Sequence, residues 1–148
     1  MKITKLIDLP ISSVFAMISS SKEREKWFLN VTNITYHNQL DEMKPGATYT
    51  LTAVEGNHTV TLKGTNKDII SPTLYSFELR ADKYVMYITY RLHADGNRTL
   101  VEQEFETIYH LSFMNFVEKL FKSITKQTAE LVLSGLKAHC ELKGKEPN

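Results

Sequence analysis

Two hydrophobic periods divide the chain. Polar and apolar residues alternate from Lys2 to Asp8, as in a strand, and Pro10 follows where a fixed φ and a missing N–H suit a helix start. Ile11, Val14, Phe15 and Ile18 recur at three and four, predicting a helix over roughly 11–19 with one buried face. Ser20-Ser21-Lys22-Glu23 matches a capping box, so a second short helix is expected to end near Trp27 and Phe28. From Val31 to Tyr109 the period is two. Turn signals at Lys44-Pro45-Gly46, Gly56-Asn57, Ser71-Pro72, Ala81-Asp82 and Asp95-Gly96 cut this stretch into a meander of six strands.

Antiparallel partners across a hairpin point to one face, and a slip of one residue turns a strand over. A two-residue loop at Gly56-Asn57 pairs Ala53 with Val60 and Leu51 with Leu62. Loops at Ala81-Asp82 and Asp95-Gly96 pair Leu79 with Tyr84, Phe77 with Met86, Tyr75 with Ile88, Tyr90 with Val101, Ile88 with Gln103 and Met86 with Phe105. Any register that moves by two preserves the faces. One concave face thus collects Tyr36, Tyr49, Leu51, Leu62, Tyr75, Phe77, Met86, Ile88, Tyr90, Val101, Gln103, Phe105 and Tyr109, while Glu102, Glu104 and Glu106 fall on the opposite, solvated side.

The last third predicts a long helix from an N-cap at Ser112 to a C-terminal Gly144. Its stripe is assigned to Phe113, Val117, Leu120, Phe121, Ile124, Thr128, Leu131, Gly135 and Ala138, and the concave face is its available partner.

A length of 148 residues fits one domain, expected over 1–144 with a frayed tail at 145–148. Eighteen basic against seventeen acidic residues leave a net charge of +1, which argues against a nucleic-acid partner. No apolar run is long enough to span a membrane, and Met1 to Pro10 lacks the form of a secretion signal. The single cysteine, Cys140, fits a reducing cytoplasm. No feature selects an oligomeric state.

The order of strand, two short helices, six-strand meander and long helix resembles the helix-grip fold of the START-like, polyketide-cyclase-like (SRPBCC) superfamily, and is most similar to its small bacterial members. The opening Ile7-Asp8-Leu9-Pro10-Ile11-Ser12-Ser13-Val14-Phe15, Trp27 near the end of the second helix and the amphipathic helix after Tyr109 carry the resemblance. It implies an α+β fold: a bent seven-stranded antiparallel sheet wrapped around the long helix, with strand one beside both the second and the last strand. It also implies a cavity for an apolar or amphipathic molecule, but a shared shell does not select a function.

The five histidines have no metal-ligand spacing, and no phosphate loop, nucleophile elbow or cofactor motif is present. The three alternating glutamates could face a hard cation, but a solvated strand face accounts for them. Hydroxyl-bearing aromatics and one amide on the concave face are more informative, because buried Tyr and Gln need hydrogen-bond partners. The expected cavity is lined by Trp27, Tyr49, Tyr75, Phe77, Met86, Ile88, Tyr90, Gln103, Phe105, Tyr109, Val117, Leu120 and Ile124, with Gln103 as its central polar group and Trp27 at its mouth. These side chains offer little acid–base chemistry, which favours binding of a small hydrophobic molecule, lipid-like or aromatic, over catalysis. The alternatives are an interaction module of the chaperone- or ribosome-associated type and a cyclase-like enzyme.

Overall fold

The computed structural model describes residues 1–38, 41–109 and 115–145, with side chains throughout except at 55 and 115–125. The elements are β1 (Lys2–Ile7), α1 (Ile11–Ser19), α2 (Ser21–Trp27), β2 (Val31–Tyr36), β3 (Thr48–Glu55), β4 (His58–Ile70), β5 (Leu74–Arg80), β6 (Tyr84–Asp95), β7 (Arg98–Tyr109) and α3 (Asn115–Gly144). This is the α+β helix-grip architecture. The antiparallel sheet runs β1-β7-β6-β5-β4-β3-β2.

The sheet is open, which corrects one expectation: β1 pairs with β7 only, and β2 forms the opposite edge. Helix side chains occupy those edges instead. The Ile34 N–H donates to Glu25 Oε1 at 2.8 Å, and Lys137 Nζ donates to the Leu6 carbonyl at 2.9 Å. Capping an edge in this way removes a template for unwanted strand pairing.

Local chemistry sets the helix starts. Pro10 is the N-cap of α1 with φ −61° and ψ 153°, and the Ser20 hydroxyl caps α2 by accepting from the Glu23 N–H.

Two hairpin registers differ from the expected ones, each by two residues. Leu79, Phe77 and Tyr75 face Met86, Ile88 and Tyr90, because the chain turns through Ala81–Tyr84 and the Ala81 N–H bonds the Tyr84 carbonyl at 2.9 Å. A two-residue hairpin loop favours positive φ, and none of these four residues adopts it. The next hairpin turns at Gly96-Asn97, with Gly96 at φ +61°, so Tyr90, Ile88 and Met86 face Gln103, Phe105 and Thr107. The faces survive both shifts. Glu106 is exposed, while Glu102 and Glu104 are half-buried against Arg91 Nη1 at 3.2 and 3.0 Å.

The phase of α3 also differs. Ala129, Val132, Leu133, Leu136 and Cys140 form its buried stripe, whereas Leu131 is 73% exposed and Ala138 faces water. Thr128 and Gly135 are half-buried at the margin. A Cβ on Gly135 would lie 3.0 Å from the Trp27 carbonyl, so small residues on this side let α3 approach α2. Burial and the nearby carboxylates of Glu141 and Glu23 push the Cys140 thiol up to about 12. Ser112 and Phe113, and the side chains of Val117, Leu120, Phe121 and Ile124, lie outside the described residues.

Gly64 faces Tyr49 across β3 and β4, and a Cβ there would fall 2.1 Å from the Tyr49 ring. That ring is fully buried and packs 4.8 Å, centroid to centroid, from Tyr36, so it has little room to yield. Gly64→Ala should therefore destabilise by about 1 to 3 kcal/mol through overpacking, read as a lower midpoint in urea unfolding. An unchanged midpoint would show that the ring is free to move.

His139 of α3 lies 2.6 Å from Glu23 of α2, with Lys26 and Lys143 also beside that carboxylate. Burial raises the Glu23 pKa, but the His139 hydrogen bond and the two lysines more than offset it and hold the group below its ordinary 4.5. A carboxylate depressed in the folded state contributes stability above its unfolded pKa and loses it as pH falls through the folded value. Glu23→Gln should thus cost about 1 kcal/mol or less at neutral pH. The gap to the parent should close below about pH 4.5, checked by urea unfolding across that range.

Candidate functional site

Polar groups on the concave side gather in two places. At the centre, Gln103 is fully buried; it accepts from the Tyr90 hydroxyl at 2.8 Å and donates to the Ala129 carbonyl of α3 at 2.8 Å. Gln103 therefore ties the sheet to the long helix. Phe77, Ile88, Tyr90 and Phe105 surround this position, all buried. Burial pushes the Tyr90 hydroxyl well above its ordinary pKa, only partly opposed by Arg24.

The second cluster forms where α2 meets β2, β4 and β5. Arg24 is completely buried; its Nη1 donates to the Ile18 carbonyl at 2.7 Å and to Tyr75 Oη at 3.4 Å, and its Nη2 donates to Tyr36 Oη at 3.4 Å. The guanidinium carbon lies 5.7, 5.5 and 5.2 Å from the ring centroids of Tyr49, Tyr75 and Phe77. These are cation–π distances. No Asp or Glu pairs with Arg24 among the described residues. Burial lowers its pKa, but the phenols of Tyr75, Tyr49 and Tyr36 more than offset this and hold it above the ordinary value. Burial likewise raises Tyr49 and Tyr75, against the pull of Arg24.

Asn66 completes the cluster. Its Oδ1 accepts from Tyr36 Oη at 3.0 Å, with Tyr75 Oη 3.3 Å away, and its Nδ2 shares two hydrogens among the carbonyls of Asp41, Glu42 and Lys44 at 3.3, 3.1 and 3.2 Å. Tyr75 Oη also donates to the Glu42 carbonyl at 3.0 Å, and the Ser21 hydroxyl bonds the Glu42 carboxylate. The loop Asp41–Lys44 is thereby fastened over the phenols.

Tyr49, Tyr75, Phe77, Ile88, Tyr90, Gln103 and Phe105 converge on the concave side, while Met86 and Tyr109 are half-buried nearer its end. Trp27 is packed inside rather than open at a mouth: its Nε1 donates to the Met17 carbonyl at 3.0 Å, and its ring meets Phe28 and Tyr90 edge-on. The side chains of Val117, Leu120 and Ile124 lie outside the described residues. Arg24 and Asn66 are the residues that sequence reasoning missed. Arg24 lies three after Ser21 and three and four before Trp27 and Phe28, so helical spacing already put it on the buried face.

An open cleft of about 620 Å³ lies at the far end of the sheet, lined by Val60, Leu62, Lys63, Arg80, Lys83 and Tyr84, among others. It shares no residue with the expected lining. Even so, Leu62 and Tyr84 belong to the concave side through their positions beside Leu51 and Tyr109. No group of His, Cys, Asp and Glu side chains among the described residues is arranged to hold a metal ion. None of the described helices is long and apolar enough to cross a membrane.

Buried aromatic sheet, gripping helix and short helical pair together define a START-like protein. Solved structures agree in fold. A START superfamily protein from Mycobacterium smegmatis superimposes with a TM-score of 0.79 at 11% identity, covering 96% of this chain and 97% of that one. The Zhui aromatase/cyclase from Streptomyces sp. R1128 gives 0.78 at 10% identity over 98% and 94% of the two chains. TTHA0849 from Thermus thermophilus gives 0.74 at 15% identity over 99% of each. Comparison with curated protein sequences finds no match. The family model for Activator of Hsp90 ATPase homolog 1-like proteins matches residues 8–141, and the chain belongs to that family.

Replacing Gln103 by Leu removes the acceptor of the buried Tyr90 hydroxyl and the donor to Ala129. Stranding a buried donor costs about 1 to 3 kcal/mol, so Gln103→Leu should lower stability by that amount in chemical unfolding. A loss near zero would free Gln103 from its structural role.

Proposed function

We propose that this protein binds a small hydrophobic or amphipathic molecule, lipid-like or aromatic, between the concave sheet face and α3. The aromatic make-up of the concave face carries this reading, since Tyr49, Tyr75, Phe77, Tyr90 and Phe105 stand where a simple core would be aliphatic; the cleft at the Val60–Tyr84 end touches that side only through residues such as Leu62 and Tyr84. Concave sites lined mainly by apolar and aromatic groups, with few polar ones, are the usual form of small-molecule sites. We read 1–144 as one binding domain acting in a reducing, cytoplasmic setting. The known neighbours include an aromatase/cyclase, but the central polar pair of Gln103 and Tyr90 is engaged in holding sheet to helix, which favours carriage over turnover.

Native mass spectrometry of the purified protein should reveal a retained small molecule. Trp27, the only tryptophan, contacts Tyr90 on the concave face, so its emission should shift on titration with fatty acids, sterols or flat aromatics. Val60 lines the cleft, and Val60→Trp should fill it and weaken binding about tenfold, a change of about 1.4 kcal/mol. A broad, soluble panel with no binder would remove the carrier reading. A second reading, an interaction module, draws on Leu131 and Leu142, which stand 73% and 64% exposed on α3. Loss of a partner on Leu131→Ser, with no ligand found, would favour it.

A further inference from the structure

Resting on the small-molecule reading above, we propose that the cluster around Arg24 is an acid-recognition subsite, and that the bound molecule is an amphipathic monoanion whose acidic group meets Arg24 Nε and the Tyr49 hydroxyl. Two buried side-chain donors are without a hydrogen-bond partner among the described residues, the Arg24 Nε–H and the Tyr49 O–H. They belong to groups already in contact, the guanidinium carbon lying 5.7 Å from the Tyr49 ring centroid.

The remaining acceptors around Arg24 are neutral: one carbonyl and two phenols, the latter at 3.4 Å. A buried cation is normally matched by a carboxylate, and buried donors are normally satisfied. One carboxylate supplies both the missing charge and the missing acceptors. Phe77 adjoins the guanidinium, and Tyr90 and Ile88 adjoin Phe77, so the surface next to the cation is apolar and aromatic, as the remainder of such a molecule requires. Both donors are enclosed, so binding is coupled to a local opening.

Matched probes test this. Calorimetric titration compares decanoate with decanol, and 2-naphthoate with 2-naphthalenemethanol, on the parent protein, Tyr49→Phe and Arg24→Met. Charge-assisted hydrogen bonds predict that the parent binds at least one acid about tenfold tighter than its alcohol. Tyr49→Phe, which deletes only a hydroxyl without a partner, should bring that ratio toward one, and Arg24→Met should do the same where it folds. An acid-to-alcohol ratio near one on the parent overturns the subsite but leaves the carrier reading standing. A preference that persists in Tyr49→Phe and Arg24→Met overturns it as well. No binding by any of the four probes, where the broad panel does yield a neutral binder, overturns the subsite and leaves the carrier reading standing.

Discussion

A fully buried guanidinium holds one end of this fold together. Arg24 binds the last turn of α1 through the Ile18 carbonyl, meets β2 and β5 through the Tyr36 and Tyr75 hydroxyls, and lies over the rings of Tyr49 and Phe77. Taking a cation out of water costs several kcal/mol even after relaxation. That cost is met by one good carbonyl bond, weak phenol contacts and the faces of three rings, each worth about 0.5 to 2 kcal/mol. Other features follow from it. Asn66 must orient the phenols, the Asp41–Lys44 loop must cover them, and Gly64 must lack a side chain so that Tyr49 can reach its place.

The sheet was legible because parity is robust. A shift by two residues at each of two hairpins changed which residues face one another but moved none between faces, so the core on β5, β6 and β7 was read correctly from alternation alone. Turn chemistry was the weaker guide. Gly56 and Gly96 sit at positive φ in two-residue loops, while Ala81-Asp82 offers no such residue and the turn falls one residue later, closed by the Ala81 N–H on the Tyr84 carbonyl.

The long helix shows where periodicity runs out. Between Ala129 and Leu142 apolar residues surround the axis, so two stripes compete: one through Leu131, Gly135, Ala138 and Leu142, the other through Ala129, Val132, Leu133, Leu136 and Cys140. Tertiary contacts decide. Gln103 bonds the Ala129 carbonyl, and Gly135 passes the Trp27 carbonyl at a distance that leaves little space for a side chain. Arg24 escaped notice for a related reason. In Ser-Lys-Glu-Arg-Glu-Lys-Trp it looks like one more surface charge, although its spacing to Trp27 and Phe28 places it on the inner face.

Polar groups on the concave side thus divide by how fully they are matched. Gln103, Tyr90 and Asn66 have protein partners of good geometry, and their work is to join sheet, helix and loop. Arg24 and Tyr49 keep donors that the described protein groups leave over. A core selected only for stability would favour an apolar set in place of the cation and its phenol partners together, since apolar replacement of a whole buried charged cluster is often neutral or stabilising. Retaining a cation there, against the rings of Tyr49, Tyr75 and Phe77, is what the proposed subsite requires in order to tell an acid from its neutral analogue.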